Sequence, residues 1–256
     1  MLILLSPAKR IDIKDNICTN IITEPVFIDK AEVLVNKLKG YTIDELMDLM
    51  SISEKLARLN EQRFKQWQSG FSDIYSAQAI CAFNGEVYSG IGVNNWTKDD
   101  FDFAQDRVRI ISGLYGMLKP LDYISAYRLE MNTLLQINEY DNLYQFWKAI
   151  ITDNINNQLN MQEDNIIVNL ASNEYFKVIN KHKLNKVKII TPIFKDFKNG
   201  DYKTISIYLK KARGLMTRFI VRNRITNIEQ IKEFNYNGYY YNELLTKDNE
   251  WVFVRD

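Results

Sequence analysis

Residues 210–224 read Lys-Lys-Ala-Arg-Gly-Leu-Met-Thr-Arg-Phe-Ile-Val-Arg-Asn-Arg, and a helix is the local structure that gathers their apolar side chains. Ala212, Leu215, Met216, Phe219 and Ile220 then fall at i, i+3, i+4, i+7 and i+8 and make one stripe that must dock on a core. Lys211, Arg218 and Arg222 flank the stripe on one side, and Lys210, Arg213 and Arg224 on the other. Gly214, Thr217 and Val221 lie opposite it, and no acid interrupts the run from Lys203 to Arg224. A low ridge between two cationic edges accepts a polyanion or another backbone. The plain alternative is a solvated helix whose cations pair with acids elsewhere. Glycine costs a helix interior roughly 1 kcal/mol against alanine, so Gly214 needs a packing or contact reason.

That core has ample material. The chain has 256 residues, 46% of them hydrophobic and 25% charged, which describes a folded globular protein. Net charge is +1, so attraction to a polyanion must come from a local patch. Cys18 and Cys81 are far apart and show no metal-ligand spacing, which argues against zinc and against a disulfide framework. A reducing, cytoplasmic location is expected. The apolar run Leu2–Leu5 is too short for a signal peptide, and nothing approaches a membrane span. The single histidine, His182, lies in a polar loop, which argues against triad and HExxH chemistry. No metal or other cofactor is expected.

Along the chain, residues 2–5 read as a buried strand and residues 10–26 as irregular. Asp29 to Glu32 resembles a capping box opening a helix that ends at Gly40, and Thr42 to Glu45 a second box opening a helix to Met50. A third helix spans 53–67, so residues 29–68 form a helical subregion. Residues 77–90 mix strand and turn. Thr97 opens a short helix, 107–112 alternates as a strand, and Asp141 caps a helix over 142–159. A strand at 165–170 leads to a helix capped by Ser172. Asn199-Gly200 joins strands 187–197 and 202–209 in a hairpin. Thr226 caps a last short helix, and 239–241 with 251–254 form a terminal hairpin. There is no regular βαβ rhythm. The expectation is one mixed α/β (α+β) domain over 1–256.

Two short motifs concern anions. Leu49-Met50-Ser51-Ile52-Ser53-Glu54-Lys55-Leu56-Ala57 compares with the helix-hairpin-helix pattern Leu-Pro-Gly-Ile-Gly-x-x-x-Ala, which sets free helix N–H groups against a DNA phosphate. Ile52 and Ala57 keep their places, while Ser51 and Ser53 replace the glycines. A capping box from Ser51 to Glu54 is the structural alternative. Ile52 is expected to be buried. Ser6-x-x-Lys9 matches a nucleophile pattern but follows a strand, precedes Pro7 and lacks the partner motifs, so acyl transfer is rejected. Lys9 is left as an anion contact on a pocket floor. Arg128 and Glu130, two apart, share a face if extended and either pair or orient a ligand.

Several blocks taken together resemble one family. They are Leu-Ser-Pro-Ala-Lys (5–9), Ala-Phe-x-Gly-x-Val-Tyr-x-Gly (82–90), Ser-Gly-Leu-Tyr-Gly-x-Leu-x-Pro-Leu-Asp (112–122), Tyr-Arg-Leu-Glu-Met (127–131), Leu-Tyr-x-Phe-Trp (143–147), Asn-Leu-Ala-Ser-x-Glu-Tyr-Phe (169–176) and Lys-Lys-Ala-Arg-Gly-x-Met (210–216). The chain resembles the YaaA family of peroxide-stress proteins, from its first residue to about Val254. The resemblance implies a cytosolic bacterial protein, induced in oxidative stress, that lowers available intracellular iron. It implies a compact mixed fold with a helix-hairpin-helix and a positively charged cleft for duplex DNA. No enzymatic activity is implied.

The resulting expectation is a non-sequence-specific duplex-DNA binder with no membrane partner, its helix-hairpin-helix at 42–67. Lys9, Ser51, Ser53, Lys55, Lys210, Lys211, Arg213, Arg218 and Arg222 are its candidate phosphate contacts. The alternative is an enzyme acting on a phosphorylated or nucleotide small molecule in the same cleft, with Ser6, Lys9, Arg128, Glu130 and Lys211 as its polar lining. Pocket shape separates the two: an open groove suits duplex and a closed cavity suits a small ligand. The sequence leaves the oligomeric state open.

Overall fold

The computed structural model describes residues 1–13, 18–70, 76–162 and 164–256. In chain order the strands and α-helices are β1 (Leu2–Leu5), β2 (Arg10–Ile11), α1 (Ile28–Lys39), α2 (Ile43–Met50), α3 (Glu54–Gln66), β3 (Ser76–Gln78), α4 (Ala79–Ala82), β4 (Phe83–Asn84), α5 (Glu86–Ile91), α6 (Lys98–Arg107), β5 (Val108–Ser112), β6 (Gly116–Leu118), β7 (Tyr123–Ser125), α7 (Leu143–Asn160), β8 (Ile166–Asn169), α8 (Asn173–Phe176), β9 (Lys188–Lys198), β10 (Asp201–Lys203), α9 (Ser206–Arg222), β11 (Tyr240–Tyr241) and β12 (Glu250–Arg255).

The main sheet runs β11-β12-β9-β8-β1-β5-β6, with β10 hairpinned onto β9. Its five inner strands, β12, β9, β8, β1 and β5, are parallel. Such strands are covered on both faces, so they read as continuous apolar runs rather than alternating ones. All four residues of β1 and all five of β5 are buried, Arg109 included. The alternation expected at 107–112 is therefore a fully buried strand. Ranked by position in the chain, the parallel strands read 2-1-3-4-5 from β5 to β12, so the winding reverses between β1 and β8. The crossover from β1 to β5 carries α1 to α6, which hides the parallel rhythm from a local reading.

Thr42 and Glu45 form the expected reciprocal capping box. The Asp29 box does not form: α1 starts at Ile28 with Phe27 at its cap and no side-chain bond. Asn142 rather than Asp141 caps α7, because the Asn142 side chain accepts from the Gln145 N–H. Asn227, not Thr226, caps the 3-10 turn Ile228–Glu233. Strand β10 has three residues, since Ser206 already begins α9. Of the irregular segment 10–26, residues 14–17 lie outside the described residues, and Arg10–Ile11 pairs with Phe83–Asn84. The two cysteines correct the expectation of unpaired thiols. Cys18 and Cys81 are joined in a disulfide across a sequence separation of 63.

Asp122 gives the core a pH dependence. It is 1% exposed and accepts from the Thr23 hydroxyl at 2.6 Å and the Lys119 N–H at 2.8 Å. Burial outweighs these bonds and pushes its carboxyl up from 3.8 to about 6. The folded chain thus keeps a proton that the unfolded chain has already released between those two values. This group's contribution to stability is present at low pH and is lost as pH rises through that window. Wild type is expected to lose roughly 2–3 kcal/mol relative to Asp122→Asn between pH 4 and 7. Urea unfolding of both proteins across that range measures it, and parallel pH profiles would assign the proton elsewhere.

Candidate functional site

Open parallel sheets bind ligands beyond the carboxyl ends of their strands, at the point where the winding reverses. Here that point lies between β1 and β8, and two serines meet at it. The Ser6 Oγ, one residue past β1, accepts from the Ser172 N–H at 2.8 Å and lies 3.3 Å from the Ser172 Oγ. The Tyr88 hydroxyl donates to the Ser6 carbonyl at 3.0 Å, which fixes the loop that carries Lys9.

Segment 127–131 is drawn over the end of β5 by two contacts. The Ser112 Oγ and Tyr127 OH are 2.6 Å apart. A Cβ on Gly113 would stand 2.2 Å from the Leu129 carbonyl oxygen, so only glycine allows that approach. Glu130 consequently reaches both Lys9 (2.6 Å) and Arg128 (3.0 Å). The predicted Arg128–Glu130 pair is present, although the segment is not a strand. Glu174, in α8, completes the group. Burial raises its carboxyl pKa first and the neighbouring Glu130 second, while a hydrogen bond from the Asn132 backbone, then Lys9 and Lys177, oppose the shift. Arg128 Nε and Glu174 Oε1 are buried without a hydrogen-bond partner among the described residues. Sequence reading missed Ser172 as a site residue and gave Glu174 no role. The available signal was their place just after a buried strand.

The turn between α2 and α3 forms the facing wall. A recess of about 470 Å³ is lined by Lys9, Arg128 and Glu130 on one side and by Asp48, Met50 and Ser51 on the other. Four sequence-predicted residues, Lys9, Ser51, Arg128 and Glu130, are thus brought together. Ser51 adopts φ 50°, ψ 54° and closes α2 in the left-handed region, the conformation that glycine takes at this place in the turn pattern. Ser53 stands at the N-cap of α3 but makes no side-chain bond, so the Ser51–Glu54 box is not formed. Ile52 is half-buried rather than buried. Ser51, Ser53 and Lys55 are all exposed. Because a left-handed serine is strained where glycine is not, Ser51→Gly is expected to raise stability by about 0.5–1 kcal/mol. Thermal unfolding reads this directly, and a lowered Tm would contradict the strain.

The α9 stripe docks as expected, with Leu215, Met216 and Phe219 buried. The opposite ridge is not open: Gly214, Thr217 and Val221 are buried too. Helix α5 crosses there, and a Cβ on Gly214 would stand 1.9 Å from the Val87 carbonyl oxygen. Of the two occupants the ridge suits, it receives another backbone. Arg222 donates to the Asn95 carbonyl and pairs with Asp100, while Arg224 pairs with Asp99 and Asp100. Arg213 is half-buried with its Nε unpartnered among the described residues, and Arg218 lies under Gly92. Lys210 and Lys211 remain exposed.

A second, larger cavity of about 610 Å³ lies where β5 begins, between Arg107, Arg109, Asp122 and Gln158. Buried Arg109 is satisfied there by the Gln158 Oε1 and by the carbonyls of Gln105, Asp106 and Val108. None of the predicted site residues lines it, and the exposed Val26 and Met161 stand at its rim.

The profile of the family described as peroxide stress protein YaaA matches residues 1–245. The chain belongs to that family. A UPF0246 protein of Colwellia psychrerythraea (strain 34H / ATCC BAA-681) is 49% identical over 255 residues, covering 100% of this chain and 99% of the relative. This YaaA-family chain has no helix among its described residues long and apolar enough to cross a membrane. No group of three His, Cys, Asp or Glu among them is placed to hold a metal ion.

Proposed function

We propose that this YaaA-family protein acts in the cytoplasm during peroxide stress by binding duplex DNA through its backbone phosphates. The grip is the α2–α3 turn, read as a helix-hairpin-helix. The observation that carries the reading is the exposed, uncapped start of α3. Its first N–H groups have no capping side chain, and Ser51, Ser53 and Lys55 surround them. A free helix N-terminus attracts phosphate by its unpaired donors and its dipole. Lys9 stands across the recess with its side chain 64% exposed, paired to the Glu130 carboxylate, which Arg128 also holds. Such contacts position without reading sequence. The route to lower available iron that the resemblance implies would run through DNA contact in this reading.

Lys55→Glu is expected to weaken a fluorescently labelled duplex by about tenfold or more while leaving the fold intact, because Lys55 is exposed. Unchanged anisotropy titrations would remove the hairpin from the contact. A second reading has one specific observation in its favour. Among the described residues Arg128 Nε is buried without a partner, and Arg128 lines the recess together with Lys9, which suits a phosphorylated or nucleotide small molecule. Calorimetric binding of inorganic pyrophosphate, lost in Arg128→Gln and kept in Lys55→Glu, would favour that reading over duplex.

A further inference from the structure

The cysteines sit at a neck. Between Cys18 and Cys81 the chain makes the excursion that carries α1, α2 and α3, and with them the turn facing the recess. Cys81 lies in α4, which is pinned at both ends. The Ala79 and Ile80 N–H groups donate to the carbonyls of Asp122 and Pro120, and the Ala82 carbonyl accepts from the Asp12 N–H. Cys18 is held beside it by a side chain rather than by its sulfur. Fully buried Gln78 accepts from the Cys18 N–H at 3.1 Å and donates to the carbonyls of Thr19 and Ile21. This clamp does not depend on the disulfide, so the two thiols stay together after reduction. Their Cα atoms are 6.3 Å apart, within the roughly 4.4–6.8 Å that a disulfide requires. Both residues are half-buried rather than sealed in the core.

We infer that Cys18 and Cys81 form a peroxide-oxidised, thiol-reducible dithiol site whose bridge clamps the neck of the α1–α3 excursion. The inference rests on the geometry of the two cysteines and does not require DNA binding. One cysteine thiolate attacks a hydroperoxide oxygen: an S–O bond forms, the O–O bond breaks, and the departing oxygen leaves as water after taking a proton. The second thiol then attacks the sulfur of the sulfenic acid. The S–S bond forms, the S–O bond breaks, and a second water leaves. Two thiols lose two electrons, and hydrogen peroxide becomes two waters. In a glutathione-reduced compartment such a bridge is transient, which is what a sensor needs.

The test uses the full chain, reduced with dithiothreitol, freed of reductant and exposed to hydrogen peroxide. Free thiols are trapped with an alkylating reagent and counted by intact mass. Two alkyl groups are expected before peroxide, none after it, and two again after treatment with reduced glutathione. Cys18→Ser and Cys81→Ser should each show one free thiol before peroxide and form no internal bridge after it, and the variant that keeps the attacking cysteine should instead gain oxygen at that sulfur. The bridged monomer should melt roughly 5–10 °C above the reduced one, because the bridge closes a long loop. Full alkylation after excess peroxide would overturn the inference. So would a bond that survives glutathione, because that bond would be permanent rather than switchable.

Discussion

Gly214→Ala is expected to destabilise the protein by roughly 3 kcal/mol or more, although alanine is the better helix former by about 1 kcal/mol. The new methyl group has nowhere to go. It would stand 1.9 Å from the Val87 carbonyl oxygen and 2.9 Å from the Gly90 Cα, and both obstacles are backbone of α5. The reciprocal contact is as close: a Cβ on Gly90 would lie 2.4 Å from the Lys211 carbonyl oxygen. Relief requires α5 and α9 to separate. Such a movement pulls on Tyr88, whose hydroxyl holds the Ser6 loop, and hence on Lys9. Gly40→Ala is the control, because its Cβ would meet only the Lys37 carbonyl oxygen, at 3.4 Å. Urea unfolding should find that variant within about 0.5 kcal/mol of wild type. Equal stability of the Gly214 and Gly40 variants would mean that the crossing is loose and that Gly214 is there for another reason.

The same glycine shows where sequence reading reached its limit. Its presence in a helix signalled a close approach, but the approaching element was invisible. Helix α5 has six residues, follows Gly85 and contains Gly90, so neither periodicity nor propensity marks it. Elements with local signals were legible: the Thr42 box, the helix opened by Thr97, the Asn199-Gly200 turn and the α9 stripe all formed. The order of the parallel strands was not, because β1 pairs with β5 and β8 across crossovers that leave no local mark. The recess was half legible. Lys9, Ser51, Arg128 and Glu130 have separate sequence signals and converge, whereas the contacts of Ser172 with Ser6 and of Glu174 with Glu130 depend on the sheet order and leave no local mark. The pairing of Cys18 with Cys81 depends on the buried Gln78 clamp, which no spacing announces.

The centre of gravity of the anion site also moves. The cationic run on α9 divides among packed, paired and free side chains, with Arg222 and Arg224 committed to the acids of α6. In the proposed reading the exposed start of α3 is the main phosphate contact, with Lys55 next to it in sequence and Lys9 across the recess from Ser51. Binding built on phosphates is governed by counterion release, so salt reports the number of contacts independently of sequence. About four contacts give a log–log slope near −3.6, which is a loss of about a hundredfold in affinity between 50 and 200 mM salt. The decisive measurement is a salt titration of a labelled duplex against wild type and the Lys9→Ala, Lys55→Ala double variant, followed by fluorescence anisotropy. The account predicts a steep slope for wild type and one shallower by about 1.8 in the double variant, alike for unrelated sequences. Salt-insensitive binding, no binding, or an unchanged slope in a correctly folded double variant would contradict it.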